Sequence, residues 1–301
     1  AGNAGIVTAG TVAAPSNMAF QAAGSERVRL DNNGRLIIGH TASTGEARAL
    51  QVVGTNADKS SVQLIRHSAD SSSPQIDLTK SRNASAGSNT IVQDGDILGQ
   101  ITFRGDDGSD LNSTGATIAA SVDGTPGSND MPGSLTFGTT ADGASSSTER
   151  LKVTSAGSFQ FSNGGLIENA TITADKLSSL GNPAAIDVAN GMVRYFTTNE
   201  TTSTTMNLRF NSSTALNDVM DTGDVISMTI ILTPNGAGYI NSLDIDSTGN
   251  SNTIVWPDGG QDGANGFPDA GSASGIDVYA FTIIKTGNNT WKPLCNYTNF
   301  S

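Results

Sequence analysis

The sequence predicts an all-β fold, with repeated hairpins forming an elongated region and a C-terminal β-sandwich or jelly-roll domain after it. The first observation is composition: of 301 residues, 35 are Gly, 36% are hydrophobic and 5% are aromatic. An ordinary globular domain is about 45–50% apolar, so this chain lacks the residues for one large core. The second is an internal hairpin repeat, and the third is a succession of short alternating segments that end at glycine-containing turns.

The hairpin repeat has two copies, at residues 25–38 and 148–161. Apolar residues alternate on both sides of a glycine, which is typical of a β-hairpin with one buried face. The predicted buried residues are Val28, Leu30, Leu36 and Ile38 in the first copy, and Leu151, Val153, Phe159 and Phe161 in the second. The charged residues predicted on the opposite face are Arg27, Arg29, Arg150 and Lys152.

Between the two copies, further short strands are predicted at residues 97–103, 118–122 and 135–137, each closed by Asp-Gly or Pro-Gly turn chemistry. Segments 49–53 and 62–65 have the pattern of two more strands, whereas residues 67–92 are polar and predict a loop. Strands this short would expose rows of unpaired backbone groups, which soluble proteins avoid. We therefore expect subunits to complete these sheets and the thin core by packing against one another.

The chain divides into four predicted segments. They are an N-terminal arm over residues 1–24, a hairpin-rich fibre region over 25–162, a neck or linker over 163–190, and a C-terminal β-sandwich domain over 191–301. In the neck, residues 167, 170, 174 and 177 are apolar, a spacing that hints at a short coiled seam. Seven strands are predicted in the last segment, at residues 192–197, 205–210, 224–232, 238–245, 252–256, 276–285 and 290–297. The strand at 224–232 is predicted to be central and buried on both faces.

Charge and composition argue against several classes of function. The net charge is −12 and no basic cluster is present, which argues against binding to nucleic acid or anionic membranes. One cysteine excludes an intrachain disulfide, and no stretch approaches the ~20 apolar residues of a membrane span. The start lacks an initiator Met and the regions of a secretory signal. We expect a processed chain, or a piece of a longer one, made in a cytoplasm.

A resemblance to a known family rests on residues 95–108 (GDILGQITFRGDDG), followed by residues 116–120, 123–127, 130–137 and 148–151 in fixed order. Together these segments resemble a module that recurs in tail fibre proteins of tailed bacteriophages, such as phages of cyanobacteria and other aquatic hosts. The match covers about residues 94–162. Residues 25–39 are similar to the same repeat, residues 169–177 to connectors of those proteins, and residues 256–260, 277–287 and 296–300 to a terminal β domain of phage structural proteins.

The resemblance implies a homotrimeric virion appendage that is made in the host cytoplasm, binds other virion proteins and contacts a glycan or protein of the host surface. No C-terminal autocleaving chaperone and no N-terminal tail-attachment domain is recognisable, so the place on the virion stays open. Two alternatives remain: a capsid- or neck-attached decoration fibre, and a polysaccharide-degrading tailspike.

Catalytic and metal-binding patterns are weak, and we expect no enzyme and no cofactor. His40 and His67 lie far apart in sequence without a third ligand, and metal sites need three or four. Cys295 has the pattern of a packed strand residue rather than of an activated nucleophile. The carboxylate pairs Asp244 with Asp246 and Asp106 with Asp107 could serve a glycosidase, but their Gly-flanked or exposed strand positions favour turn formation and solubility.

Aromatic residues are the best candidates for receptor contact, because sugars stack on aromatic faces. Trp256, before a Pro-Asp-Gly-Gly turn, and Trp291 are the two tryptophans of the chain. A place in the core of the C-terminal domain is the alternative for both, since aromatics dominate small cores.

Overall fold

The computed structural model describes residues 17–249, 254–261 and 264–300. The chain forms two compact units, Ala1–Leu166 and Ile167–Ser301, called here the N-terminal unit and the C-terminal unit. The predicted all-β class is confirmed. Residues 1–16 of the predicted N-terminal arm lie outside the described residues, whereas residues 18–22 form a strand.

The N-terminal unit contains two sheets. The first has the order β1-β2-β3-β4, in which β3 and β4 are parallel and the other pairs are antiparallel. The second is a five-stranded antiparallel meander, β5-β6-β7-β8-β9. The strands are β1 Met18–Ala22, β2 Ser25–Leu30, β3 Leu36–Ile38, β4 Leu50–Val52, β5 Ile97–Gly105, β6 Ser113–Val122, β7 Gly133–Thr139, β8 Thr148–Val153 and β9 Phe159–Phe161, and a 3-10 turn lies at Ala57–Lys59.

Both copies of the predicted repeat are hairpins, β2–β3 and β8–β9, and their turns use the same bonds. The amide of Gly34 donates to the Asp31 carbonyl, and that of Gly157 to the Thr154 carbonyl. The two glycines have φ of 76° and 80°, which explains the need for glycine. The side chains of Asp31 and Thr154 each accept the amide four residues on, so one turn chemistry specifies both copies.

The C-terminal unit is a sandwich of two sheets. One has the order β10-β12-β14-β17-β18 and the other β11-β13-β15-β16. The strands are β10 Ala170–Thr173, β11 Ala184–Asp187, β12 Val193–Asn199, β13 Thr204–Arg209, β14 Val225–Thr233, β15 Ile240–Ile245, β16 Thr248–Gly249, β17 Ile276–Gly287 and β18 Thr290–Phe300. A four-residue helix, α1, spans Leu216–Val219, and 3-10 turns lie at Leu177–Leu180, Val188–Asn190, Pro257–Gly259 and Ala264–Gly266.

The topology of this sandwich differs from a jelly roll. Strands β10 to β15 alternate between the two sheets and pair in parallel within each, as successive coils of a flattened β-helix do. The later pairs β14–β17, β17–β18 and β15–β16 are antiparallel. Turn residues between short strands predict the strands but not their pairing partners, which explains the difference.

The segment predicted as a neck belongs largely to the C-terminal unit. It supplies strands β10 and β11, and Leu177, Ala184, Ile186 and Val188 are buried in the core. Of the four residues whose spacing suggested a coiled seam, Leu177 is buried in this core, whereas Ile167, Ala170 and Ala174 are exposed.

The core of the C-terminal unit lies between its sheets, lined by alternating residues such as Met206 and Leu208 on β13 and Ile230 and Phe281 on the other sheet. Strand β14 is central as predicted, but its buried residues are Met228, Ile230 and Leu232 on the inner face; Val225 on the outer face is 54% exposed. Arg194, beside Ile230, is buried, and its Nε and Nη1 have no hydrogen-bond partner among the described residues.

Candidate functional site

An uncovered apolar face on the five-stranded meander is the main surface feature of the N-terminal unit. The register aligns one apolar residue from each strand in a single row, Ile101, Ile118, Phe137, Leu151 and Phe161. Five strands about 4.8 Å apart make this row roughly 20 Å long. The row is at least partly open to solvent along its length, and Ile101 and Phe161 are 53% and 54% exposed.

A second row on the same face contains Ala120, Leu135, Val153 and Phe159. The opposite face carries polar residues, including Gln100, Thr136 and Lys152 in one row. The Lys152 ammonium lies 2.8 Å from the Asp123 carboxylate and lowers the pKa of that carboxyl to about 2. The meander is therefore amphipathic, as predicted, but its apolar face is exposed rather than buried in the single chain.

The four-stranded sheet repeats this arrangement. Its two apolar rows are Phe20, Val28, Ile38 and Val52, and Met18, Leu30, Leu36 and Leu50. The hairpin face predicted to be buried is thus exposed, and the buried residue is Ile37 on the opposite face. Beside it, Gln51 donates to the Ser43 hydroxyl and the Glu46 carbonyl, so the 43–46 loop covers that side.

A polar cavity of about 830 Å³ lies between residues 44–53, strand β5 and the loop after it. Glu46 accepts hydrogen bonds from both Arg48 and Arg104 there, and these guanidinium groups, Arg104 foremost, lower the pKa of its carboxyl. The carboxylate is held ionised, the opposite of what a general acid needs. Glu46 is the one carboxylate among the described lining residues, whereas two are used in glycoside hydrolysis.

Trp256 borders a groove of about 430 Å³ on the outer face of the larger sheet of the C-terminal unit. Val255 is held beside β18 because its amide donates to the Pro293 carbonyl and its carbonyl accepts the Cys295 amide. The remaining lining residues include Pro257, Ala280, Thr282, Leu294 and Asn296. The groove thus combines an aromatic side chain, aliphatic groups, a hydroxyl and an amide, which are the groups that bind sugars or peptides.

The Trp256 ring is fixed in place by its neighbours. Its Nε1 donates to the Asn265 carbonyl at 2.7 Å, and its ring meets Phe267 edge-on with centroids 4.9 Å apart. A Cβ atom at residue 266 would lie 2.3 Å from the indole, so only glycine fits there. Trp256 is half-buried: it contributes to the core and still borders the groove.

Trp291, the other predicted contact, is buried in the core and offers no accessible ring to a receptor. The Lys285 ammonium lies 5.8 Å from its ring centroid, within the range of a cation–π interaction. The same ammonium donates to the Asn217 and Met220 carbonyls at 2.6 Å. Lys285 therefore stabilises the end of α1, and Trp291 packs in the core beside it.

The predicted candidates for metal binding and nucleophilic chemistry are not brought together. His40 is exposed and its Nδ1 contacts the backbone of Ala42, and His67 is also exposed. The described residues contain no group of three or more His, Cys, Asp or Glu side chains suited to a metal. Cys295 is buried as predicted, and burial raises the pKa of its thiol.

The two carboxylate pairs serve turns and caps. Asp107 accepts hydrogen bonds from the Ser109 and Asp110 amides and the Ser113 hydroxyl. Asp246 accepts the amides of Leu216 and Asn217 and so caps the start of α1. Burial raises the pKa of Asp244. The roles of Asp107 and Asp246 agree with the prediction that such residues form turns.

Sequence reasoning missed the cavity at Glu46. Glu46 and Arg104 are 58 residues apart and carry no local pattern that links them. The apolar alternation does identify the rows, but it cannot tell a face buried within one chain from a face left open. The scarcity of aromatic and aliphatic residues was the signal that pointed towards the second case.

The fold defines a class: an all-β protein whose N-terminal unit has open amphipathic sheets and whose C-terminal unit is a closed sandwich. No helix in the described part of the chain has the length and apolarity needed to cross a membrane. No protein-family model matches the sequence, and no curated protein matches it.

Similar solved structures include the carboxy-terminal domain of the bacteriophage T5 L-shaped tail fibre, with a TM-score of 0.39 and 21% identity. The similarity covers 47% of this chain and 61% of that one. The same domain with its intra-molecular chaperone domain gives the same TM-score and identity, with 42% of its length covered. The chain thus spans less than two thirds of either structure, and this degree of similarity does not establish a shared fold.

Proposed function

We propose that the chain is a structural subunit of a bacteriophage appendage of the tail-fibre type, and that it works as a homotrimer. The observation that carries this proposal is the pair of open apolar sheet faces in the N-terminal unit. Monomeric soluble proteins rarely expose contiguous apolar patches of more than a few hundred Å². In a monomer, the apolar faces of both N-terminal sheets would be exposed to solvent, whereas symmetric association of subunits buries them.

The order of the motifs over residues 94–162 supports the assignment to a virion appendage. These motifs coincide with the meander β5–β9, including its turns at Asp106-Asp107-Gly108 and Asp123-Gly124. The part of the chain that resembles the tail-fibre module is therefore the part whose apolar face needs partners.

Contact with the host surface is the second element of the proposal, and Trp256 is its candidate residue. The groove beside Trp256 offers the aromatic and polar groups that a glycan or peptide receptor would use. Binding of the purified chain to host cells is expected to fall at least about tenfold for Trp256→Ala. Lys292→Ala, an exposed residue of the same sheet, is the matched control and is expected to bind normally.

The direct test of location is immunogold labelling of phage particles with antibodies against the chain, followed by electron microscopy. Label at the tail or its fibres supports the proposal. Label on the capsid or neck would replace it with the decoration-fibre alternative. Release of reducing sugar from host envelope polysaccharide by the purified chain would instead identify a polysaccharide-degrading tailspike.

A further inference from the structure

Residues 61–80, called here the extended arm, have the pattern of β-strands without the partners of β-strands. Apolar residues alternate with polar ones at Val62 and Leu64 and again at Ile76 and Leu78. Neither segment is part of a sheet, so the strand predicted at 62–65 is absent from the fold of the single chain. All four apolar side chains are exposed, from 49% for Leu64 to 76% for Ile76.

The backbone of the arm is unpaired. Within the described chain, no peptide N–H or C=O group of residues 61–65 or 75–80 makes a hydrogen bond. Two segments of five and six residues without backbone partners are unusual, since folded chains pair most of their backbone groups. An alternating strand with one apolar side and free backbone edges is the form that adds to another sheet.

The arm is nevertheless anchored at its bend and at its end. Arg66 donates to both carboxylate oxygens of Asp70 at 2.6 Å and to the Ser72 carbonyl, and this guanidinium keeps the pKa of Asp70 far below its usual range. Beyond the arm, Arg82 donates to both oxygens of Asp96. These contacts hold the two strand-like segments on either side of an ordered turn.

We propose that the extended arm forms β-sheet hydrogen bonds with a second copy of this chain in the assembled protein. The partner is a second copy of the chain because the N-terminal unit has both strand-like segments that lack a sheet and sheets that lack a covering layer. It has arm segments that join no sheet, and it has sheets with open apolar rows and an edge strand, β5, which the arm touches where Leu78 lies against Gly99 but with which it does not pair. Exchange between copies gives each arm backbone partners and covers apolar residues on both sides. The inference rests on the oligomer proposed above and assigns the segment that joins its subunits.

Hydrogen exchange measured by mass spectrometry on the full-length assembled protein tests this pairing. Peptides covering residues 61–65 and 75–80 are expected to exchange at least about 100-fold more slowly than an unstructured reference peptide of the same sequence. Exchange at the reference rate in a protein whose light scattering shows a trimer would overturn the arm pairing and leave the proposed function standing. A monomeric mass would overturn both, whatever the exchange rate.

Proline substitution gives a second test at the same positions. Gln63→Pro with Asp77→Pro removes two amide donors that have no partner within the chain, and so leaves the single subunit intact. The double variant is expected to raise the subunit concentration at half-dissociation by at least about tenfold. Gln63→Ala with Asp77→Ala keeps both amide donors and is expected to change the concentration at half-dissociation by less than about twofold. Equal behaviour of the two double variants would contradict the proposal.

Discussion

The two units have the same alternation of apolar and polar residues along their strands, but the apolar residues are buried in one unit and exposed in the other. In the C-terminal unit, the apolar residues of alternating strands face a second sheet, and twenty-one residues of its described part, from strands, turns and α1, are buried in one cluster. In the described part of the N-terminal unit, the buried apolar residues are Ile37, Val92 and Val122. The amphipathic strand is thus the same element in both, and what differs is whether the same chain supplies a layer that covers its apolar face.

The comparison teaches that stability is located differently in the two units. Burial of apolar surface contributes about 25 cal/mol per Å², and the C-terminal unit obtains it within one chain. The N-terminal unit has the same kind of surface open in the single chain, and under the proposed homotrimer it would obtain that stabilisation when partner subunits cover it. Substitutions should therefore unfold the C-terminal unit but dissociate the N-terminal unit.

The largest effect is expected for Phe137→Asp, at the centre of the longer apolar row. An unpaired buried carboxylate costs about 3–5 kcal/mol, and every copy in the oligomer would carry one. Light scattering should show loss of the oligomer, while the C-terminal unit keeps its denaturant midpoint. Gln160→Asp, on the opposite face of the same sheet, is the control and should leave the oligomer intact.

A smaller loss of stability is expected when a substitution creates a cavity in the core of the C-terminal unit. Ile230→Ala, at a fully buried site, should lower the free energy of unfolding of the C-terminal unit by about 2–5 kcal/mol. The same truncation at Ile101, which is exposed, should change subunit stability by at most about 0.5 kcal/mol. Urea denaturation followed by tryptophan fluorescence, which reports on this unit alone, checks the first value; circular dichroism at a concentration that favours the monomer checks the second.

Lys285→Met is expected to destabilise the C-terminal unit by about 1–3 kcal/mol, because one buried and one half-buried carbonyl lose their donor. Lys292→Met, an exposed lysine on the neighbouring strand, should be neutral. If the two variants unfold at the same urea concentration, the ammonium does not hold the end of α1.

Arg194→Met should raise the stability of the C-terminal unit, whereas Lys285→Met lowers it. The buried Nε and Nη1 of Arg194 have no partner among the described residues, so replacing them with apolar atoms should stabilise the unit by about 1 kcal/mol. Arg209→Met, which breaks an ion pair with Asp187, is the comparison and should be slightly destabilising. A lower thermal midpoint for the Arg194 variant would contradict this assignment.

The smallest effect is a pH dependence in the N-terminal unit. Lys152 lowers the pKa of Asp123 to about 2, below the ~3.9 of a free aspartate. The Asp123–Lys152 pair thus stabilises the unit above pH ~4, and this contribution is lost as the pH falls from there towards 2. Asp123→Asn should flatten that part of a stability-against-pH curve, and NMR titration of the carboxyl measures the pKa itself.

Much of the fold follows from local chemistry. The two repeat hairpins were predicted because their glycine turns and apolar alternation are read within fourteen residues, and both are confirmed. The strand order of the C-terminal unit was not predictable in this way, because β12 pairs with β14 across an intervening strand. For the same reason, burial of Leu177 and Ile186 in the core was missed.

The candidate site was predicted only in part. The Pro-Asp-Gly-Gly turn marks Trp256 in the sequence, but burial of Trp291 follows from the position of β18 beside β17. The extended arm shows that a correct strand pattern in the sequence does not ensure a strand in the fold. Its strand pattern at residues 62–65 is present, yet a strand needs a partner, and the single chain does not supply one.

The absolute mass of the purified chain in solution, measured by light scattering after size exclusion, tests the central claim most directly. The account predicts three times the 30.7 kDa of one chain. A folded monomer of 30.7 kDa would contradict it, because the apolar rows of the N-terminal unit would then be stable in water without a partner.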